Sequence, residues 1–299
     1  GRLSRSVRMD QQQAGLSLAL LTALLWGATS LEMRKAMVRL SPLTVTALTS
    51  AMGAAMGFLG SVVDGSAGRY ASLRADGLIY AALSGFLVFT LGRFLWYLAI
   101  NEIGASRSNS VVASEALIAP LASIAITREG FGPLTVLGSV LVVSGVWMVY
   151  RSMGDRDRAG RRYLGLGASI AAAFVFAFGS AFARLANFSI GSPTATYAIS
   201  SAAALLAVSP LLPRHGGLMG ALRNGHAALG GLFNSLASFS YWGALSLAPV
   251  PVVVPASQSF PVFTVVLSLT AYRGSERVDA YTLLGALLTT LGVVLVSAA

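Results

Sequence analysis

Residues 129–145 read EGFGPLTVLGSVLVVSG, and residues 276–292 read ERVDAYTLLGALLTTLG. Each stretch opens on a glutamate, Glu129 or Glu276, and then carries two glycines at the same spacing. They are Gly138 and Gly145 in the first stretch and Gly285 and Gly292 in the second. The copies lie 147 residues apart, and each closes a predominantly apolar half of the chain. A duplicated hydrophobic unit in a membrane usually places a pathway where its copies meet. Two questions follow: whether the chain lives in lipid, and whether the copies are parallel or inverted.

Composition answers the first. Hydrophobic residues make up 55% of the 299 and charged residues 11%, with a mean hydropathy of +0.73. A soluble protein carries about 25% charge. The 32 glycines suit close helix packing in a bilayer. There is no cysteine, which excludes a disulfide framework, a thiolate metal site and a Cys nucleophile. The net charge of +10 comes mostly from arginines in short breaks between apolar runs. That placement points to interfacial loops near anionic lipid rather than to nucleic acid.

Ten apolar segments follow one another, each of about 16 to 25 residues, near bilayer-spanning length. Their approximate spans are 14–31, 43–63, 77–99, 109–127, 134–150, 164–186, 194–212, 226–247, 252–272 and 280–298. The most polar break, Arg151 to Arg162, holds five arginines and two aspartates and divides the chain almost in half. The expected organisation is a polar tail (1–13), a five-helix repeat (14–151), a basic linker (152–163) and a second five-helix repeat (164–299). The first segment has features of a cleaved secretion signal: Arg2, Arg5 and Arg8 precede it, and small residues lie at Ala28 to Ser30. However, Gly15 to Ser50 aligns without gaps on Gly165 to Ser200, pairing Ser30 with Ser180 and Arg34 with Arg184. A segment matched by a structural helix is expected to be retained.

Parity answers the second question. Five spans per half is odd, so the second half enters the membrane from the opposite side and the repeats are inverted. The expected fold class is an all-α membrane protein of ten transmembrane helices in two inverted five-helix repeats. Further matches keep one order. Tyr97 aligns with Tyr241, and Ala113-Ser114-Glu115 aligns with Ala256-Ser257-Gln258. Pro120 and Pro261 follow, with Pro255 also in the second copy.

Trp26-Gly27 in the first span, a proline in the fourth span of each half, and a Glu before a Gly-x6-Gly closing helix carry a resemblance. The chain resembles the drug/metabolite transporter superfamily, and within it the EamA-domain exporters, which include amino-acid exporters. The second half departs from the pattern with Phe176-Ala177 in place of Trp-Gly. The resemblance implies a helical bundle with a central cavity, alternating access and both termini in the cytoplasm. Charge gives a different expectation for the termini. The breaks on the N-terminal side hold 7 Lys and Arg and those on the other side 13, which by the positive-inside rule puts both termini outside.

Polar groups within the spans are few, and such groups usually face a cavity or a partner. Arg93 lies in the third span and Glu115 in the fourth, and the two could pair. Arg93 either binds a substrate carboxylate or snorkels to an interface. Glu115 either exchanges a proton to drive transport or caps a broken helix. Gln258, the repeat mate of Glu115, sits between Pro255 and Pro261, where a helix must lose backbone hydrogen bonds. Paired Pro-interrupted segments are the best sequence pointer to a transporter site. The fourth and ninth spans are therefore expected to wall the cavity. Ser30 in the first span and Asn234, Ser235 and Ser238 in the eighth are further candidates, with helix-packing hydrogen bonds as the alternative.

Trp26 and Phe176 are repeat mates deep in their spans and suit a substrate pocket. Trp96, Tyr97, Tyr241 and Trp242 are also candidates, but their positions near span ends favour an interfacial aromatic belt. Gly53-x3-Gly57 is expected to be a helix contact, and Glu129 and Glu276 loop or helix-end anchors.

Enzyme signatures are absent from the sequence. All six aspartates fall in tails or breaks, and the two histidines, His215 and His226, lie at one break. The one lysine, Lys35, has no Gly-rich phosphate loop around it. No metal and no cofactor are expected. The expected function is secondary export of a small metabolite, with an amino acid favoured. The alternatives are an antiporter for a larger anion such as a nucleotide sugar, and a non-transporting membrane protein. The expected partners are a small-molecule substrate and the lipid bilayer, in a monomer or weak homodimer, without nucleic acid. The expected location is the cell inner (plasma) membrane.

Overall fold

The computed structural model describes residues 2–128, 134–152, 159–212, 217–273 and 278–297. Glu129, Glu276, His215 and linker residues 153–158 lie outside the described residues. Among the described residues all regular structure is helical. The first half contains α1 (Arg2–Ala36), α2 (Pro42–Val63), α3 (Ala75–Ser84), α4 (Arg93–Ile103), α5 (Ala105–Val112), α6 (Glu115–Ile126) and α7 (Leu134–Ser152). A π-helical stretch, Gly85–Gly92, joins α3 to α4. The second half contains α8 (Ala159–Ile190), α9 (Pro193–Val208), α10 (Gly217–Leu222), α11 (Gly225–Leu247), α12 (Val250–Ser257), α13 (Phe260–Leu269) and α14 (Ala280–Ser297).

Among the described residues seven helical segments are long and apolar enough to cross a membrane: Gln11–Ala36, Pro42–Val63, Ala75–Ile103, Ala105–Ile126, Gly160–Ile190, Pro193–Leu211 and Val250–Leu269. Of the other three expected spans, α7 and α14 are apolar helices of 19 and 18 residues. α11 has 23 residues, but His226, Asn234, Ser235, Ser238 and Ser240 lower its hydropathy. α1 also differs from expectation. It runs back to Arg2 and forward to Ala36, so Glu32 to Arg34 belong to a helix rather than to a break. The second helix of each half starts by one device. Ser41 accepts from the Thr44 amide with Pro42 in the first turn, and Ser192 accepts from the Ala195 amide with Pro193 in the first turn.

Small residues set the packing. An added Cβ at Gly57 would lie 2.6 Å from the Ala198 amide nitrogen, while Gly53 faces Tyr197 and Ser201 and Gly60 faces Thr194. Gly53-x3-Gly57 is therefore a contact of α2 with α9, and the two helices run antiparallel. The repeated glycines meet each other in the same way. Gly145 abuts the Gly285 carbonyl, where an added Cβ would be 2.6 Å away, and Gly292 abuts the carbonyl of Gly138. α7 and α14 thus cross antiparallel with backbones in contact. Lipid gives apolar helices no hydrophobic reason to associate, so close van der Waals approach at small residues supplies the attraction.

The first helix of each half lies on a helix of the other. α1 runs antiparallel to α11, with Gly15 against Ala248, the Thr22 hydroxyl donating to the Ala237 carbonyl, and Glu32 beside Gly230. α8 runs antiparallel to α3 and α4, with Gly165 against Ile103, Gly179 against Val88, and Gly77 against Ser189. The aligned arginines do the same work in both halves. Arg34 donates to the Ile100 carbonyl near the end of α4 at 3.1 Å. Arg184 donates to the carbonyls of Leu245 and Ala248 at the end of α11. Each guanidinium satisfies carbonyls at the negative end of a helix dipole. The outer surface is apolar, with Leu59, Val63, Phe188 and Leu206 well exposed, while Arg93, Asn109, Glu115, Asn234 and Gln258 are buried. Polar groups inside and apolar side chains outside suit a chain solvated by lipid.

Candidate functional site

The fourth apolar segment of each half is broken at the same place. α5 ends at Val112 and α6 begins at Glu115; α12 ends at Ser257 and α13 begins at Phe260. Pro255 inside α12 and Pro261 in the first turn of α13 explain the second break, since each removes an amide donor from the helix ladder. Glu115 and Gln258 stand at the two breaks and face each other, with Gln258 Nε2 2.6 Å from Glu115 Oε2. Glu115 is 1% exposed. Its other oxygen accepts from the Ser180 hydroxyl on α8 at 3.3 Å, and Ser180 in turn lies 2.8 Å from the Tyr241 hydroxyl on α11. The carboxylate is aimed at these side chains and not at the end of its own helix.

Arg93 follows the π-helical stretch directly. A π turn rotates the following side chains relative to a plain α-helix and is frequent at functional sites. The guanidinium is 3% exposed, donates to Ser238 Oγ at 3.2 Å, and lies over the Phe89 ring at 4.4 Å. With its amide oxygen toward the guanidinium, Asn234 accepts from both terminal nitrogens at 3.2 and 3.3 Å. Arg93 is therefore held in the interior and does not snorkel. It does not pair with Glu115 either. Each charged group is hydrogen-bonded by neutral side chains on its own side.

Both groups line one cavity. About 420 Å³ of space free of atoms lies between their side chains and opens toward solvent. Trp26, Trp96, Phe176, Asn234, Tyr241 and Gln258, all among the candidates, also line it. Val88, Val112, Ser180 and Phe260 complete the wall. Ring contacts hold the aromatic part together. Trp26 lies 5.1 Å from Tyr241 and 6.2 Å from Phe260, and Trp96 lies 6.1 Å from Phe260 and 6.5 Å from Phe176.

The expected interfacial belt is corrected. Trp96, Tyr97, Tyr241 and Trp242 are all buried, because they turn into the bundle, where Trp96 meets Phe260, Tyr241 meets Trp26 and Trp242 meets Phe89. Three candidates stand behind the wall. Tyr97 stacks on Trp96 at 5.2 Å, Ser238 holds Arg93, and Ser30 accepts from Asn109. Ser235 is buried within α11, and its carbonyl accepts from Tyr197.

Asn109 on α5, not among the candidates from the sequence, joins three other helices. Its Oδ1 accepts from Trp96 Nε1, and its Nδ2 donates to Ser30 and to Thr264, each at 2.8 Å. A polar residue at the start of an apolar span was its one visible signal. A second missed cluster ties α1 to the second half. Glu32 contacts His226 Nδ1 at 2.6 Å and the Tyr272 hydroxyl at 2.5 Å. Partial burial and the Glu32 carboxylate hold the Tyr272 phenol above its ordinary range. Among the described residues no group of three His, Asp or Glu could hold a metal ion.

No curated protein matches the chain. A solved structure described only as "Crystal structure of protein" superposes with a TM-score of 0.68 at 19% identity, covering 96% of this chain and 95% of that one. At that identity the likeness concerns the fold alone. The model of the EamA-like transporter family matches residues 13–151 and again 163–298. With two copies of that pattern spanning nearly its whole length, the chain belongs to the EamA-like transporter family, whose members are multi-pass membrane transporters of small molecules.

Proposed function

We propose that this protein is a secondary transporter that exports an amino acid or similar small metabolite across the cell inner membrane. In this reading ten transmembrane helices form two inverted five-helix repeats, 14–151 and 164–299, joined by the linker 152–163. The antiparallel contacts of α2 with α9 and of α7 with α14 support the inversion, because each pair joins corresponding helices of the two halves. Inverted repeats provide alternating access when one rocks against the other around a fixed site.

One observation carries the reading. A cavity shared by the two halves holds a buried guanidinium and a buried carboxyl group that do not pair with each other. Buried charges are costly unless partnered. A zwitterion would partner both, its carboxylate on Arg93 and its ammonium on Glu115, with Trp26, Trp96, Phe176 and Phe260 against its side chain. Asn234 and Ser238 would fix Arg93, and Tyr241 and Gln258 would flank Glu115. In this reading the aromatic walls part to admit and release the substrate, which is the motion that alternating access supplies. Glu115 is the proposed proton-exchange group. A larger anion such as a nucleotide sugar would need several cations, and among the described residues lining the cavity Arg93 is the one cation. No cofactor and no nucleic acid enter this reading, and the protein acts as a monomer or weak homodimer.

The test is uptake into proteoliposomes of labelled amino acids and nucleotide sugars, with and without a pH gradient. Amino-acid flux that loses its response to the gradient in Glu115→Gln is expected. No flux of any solute would overturn the transport reading. An unchanged gradient response in Glu115→Gln would remove the proton role.

A further inference from the structure

We propose that the Gln258 amide is a rotating switch that reports the protonation state of Glu115 to the cavity, and so sets whether the site receives an ammonium group. This inference rests on the transport reading above and adds to it a specificity-determining residue.

The geometry starts from a mismatch. Gln258 Nε2 faces Glu115 Oε2 at 2.6 Å, while Gln258 Oε1 is buried without a hydrogen-bond partner. Gln258 lines the cavity, and its unpartnered oxygen is sealed from water beside it. Buried acceptors are ordinarily satisfied. An ionised carboxylate can only accept, so it requires the NH2 end of the amide. A neutral carboxyl carries an O–H on one oxygen, and with that proton on Oε2 the amide oxygen is the matching partner. A half-turn about the terminal torsion exchanges the two ends in nearly the same volume, since that torsion is broad and two-fold. The separation fits both arrangements. At 2.6 Å it is just under the usual N–H···O distance and inside the O–H···O range of about 2.5–3.0 Å. The backbone need not move, because the Gln258 amide nitrogen is bonded to the carbonyls of Val254 and Pro255 at 2.9 and 3.1 Å.

The other groups around Glu115 do not carry this information. Ser180 from α8 lies 3.3 Å from the carboxyl and bonds Tyr241 from α11; each hydroxyl can donate or accept, so both tolerate either state. Arg93 from α4, the other charged group lining the cavity, is engaged by Ser238 and Asn234. A proton on Oε1 would be donated to Ser180 and leave the amide unturned; the switch is set by a proton on Oε2, the oxygen that faces Gln258, where only the amide has to turn.

The consequence is an exchange of surfaces. With Glu115 ionised, the cavity presents a carboxylate and a free amide oxygen, two acceptors suited to an ammonium. When a proton is added to Glu115, its O–H binds the amide oxygen, and the NH2 turns to the cavity. The site then presents a donor, which leaves an ammonium unpartnered. Proton entry would thereby release the amine end of a substrate without any ion pair reaching Arg93.

Two measurements on the full chain test this. The first is infrared difference spectroscopy of purified protein between acid and alkaline pH. A carboxylic-acid band lost in Glu115→Gln should appear together with a shifted side-chain amide band lost in Gln258→Met. A carboxylic-acid band with no accompanying amide band overturns the switch whether or not transport is found. The second is competition against amino-acid flux by a matched amine and a matched deaminated acid from pH 5 to 9. The ratio of the two inhibition constants should change about tenfold or more across the titration in the natural protein and by a clearly smaller factor in Gln258→Met, where only the charge of Glu115 still responds. A Gln258→Met variant that keeps the full pH-dependent ratio overturns the proposal. Absence of amino-acid flux in the natural protein counts against the transport reading, and the spectra still decide the switch.

Discussion

Replacing Asn109 by leucine tests how the cavity wall is held. The change keeps the branching of the side chain and removes three hydrogen bonds of 2.8 Å, to Trp96, Ser30 and Thr264. The three partners are not affected alike. The hydroxyls of Ser30 and Thr264 keep their bonds to the carbonyls of Gly27 and Phe260, so each loses an incoming donor and nothing more. The Trp96 indole N–H loses the acceptor that the structure provides. Interhelical hydrogen bonds within membranes are worth about 0.6 kcal/mol each, so three give about 2 kcal/mol. An orphaned buried donor moves that figure upward. About 2 kcal/mol is roughly a 30-fold change in the folded-to-unfolded ratio. The expected result is a lowered melting temperature in detergent. In addition, weaker substrate binding is expected, because the freed Trp96 ring lines the cavity. Asn109→Asp should recover part of the stability, since it keeps the acceptor for Trp96. The assay pairs thermal unfolding with equilibrium binding of a labelled amino acid. If Asn109→Leu melted and bound like the natural protein, the hydrogen-bond network would not be what positions Trp96.

Gly285→Leu should destabilise by about 1–3 kcal/mol through overpacking, because an added Cβ would already lie 2.6 Å from Val149 and 2.8 Å from the Gly145 carbonyl; an unaltered melting temperature would refute the α7–α14 crossing. Burial raises the Asp64 carboxyl, but hydrogen bonds from Ser66 and Thr194 outweigh it and hold the group below the ordinary aspartate value. Its contribution is therefore complete above about pH 4 and fades as pH falls further, so acid should lower the melting temperature less in Asp64→Asn than in the natural protein. Gly68 and Gly160 have open space around them. They lie at opposite ends of the bundle, since Gly68 is in the turn beyond α2 and Gly160 begins α8 beside the end of α4. Single cysteines placed there should react with an impermeant maleimide from opposite sides of a sealed membrane. Labelling of Gly160→Cys from outside would match the arginine-rich side being external, and labelling from the cytoplasm would match the charge count; labelling of both from one side would refute the arrangement.

Much of the architecture was legible along the chain because lipid makes it a local property. A segment must satisfy its own backbone hydrogen bonds in hydrocarbon, so apolar length alone marks a helix. The exception shows the limit of that rule: α11 spends its hydropathy on Asn234, Ser235, Ser238 and Ser240, which face the interior. The duplicated glycines, the aligned Arg34 and Arg184, and the broken pair at Glu115 and Gln258 were also visible, since duplication leaves matched residues in matched order. Their partners were not. Ser180 and Phe260 reach the cavity from α8 and α13, and Glu32 meets residues 194 and 240 positions away, at His226 and Tyr272.

The sequence by itself determined a helical, duplicated membrane chain and singled out Arg93, Trp26, Phe176, Glu115 and Gln258. Tertiary structure alone decided which polar group each would face. Arg93 and Glu115 were available to pair, yet Ser238 and Asn234 hold one while Ser180 and Gln258 hold the other. It also moved Trp96 and Tyr241 from an expected interface into the interior. The physical reason is that hydropathy fixes whether a residue enters the membrane, whereas the angle at which helices cross and break fixes whether it meets lipid, another helix or the cavity.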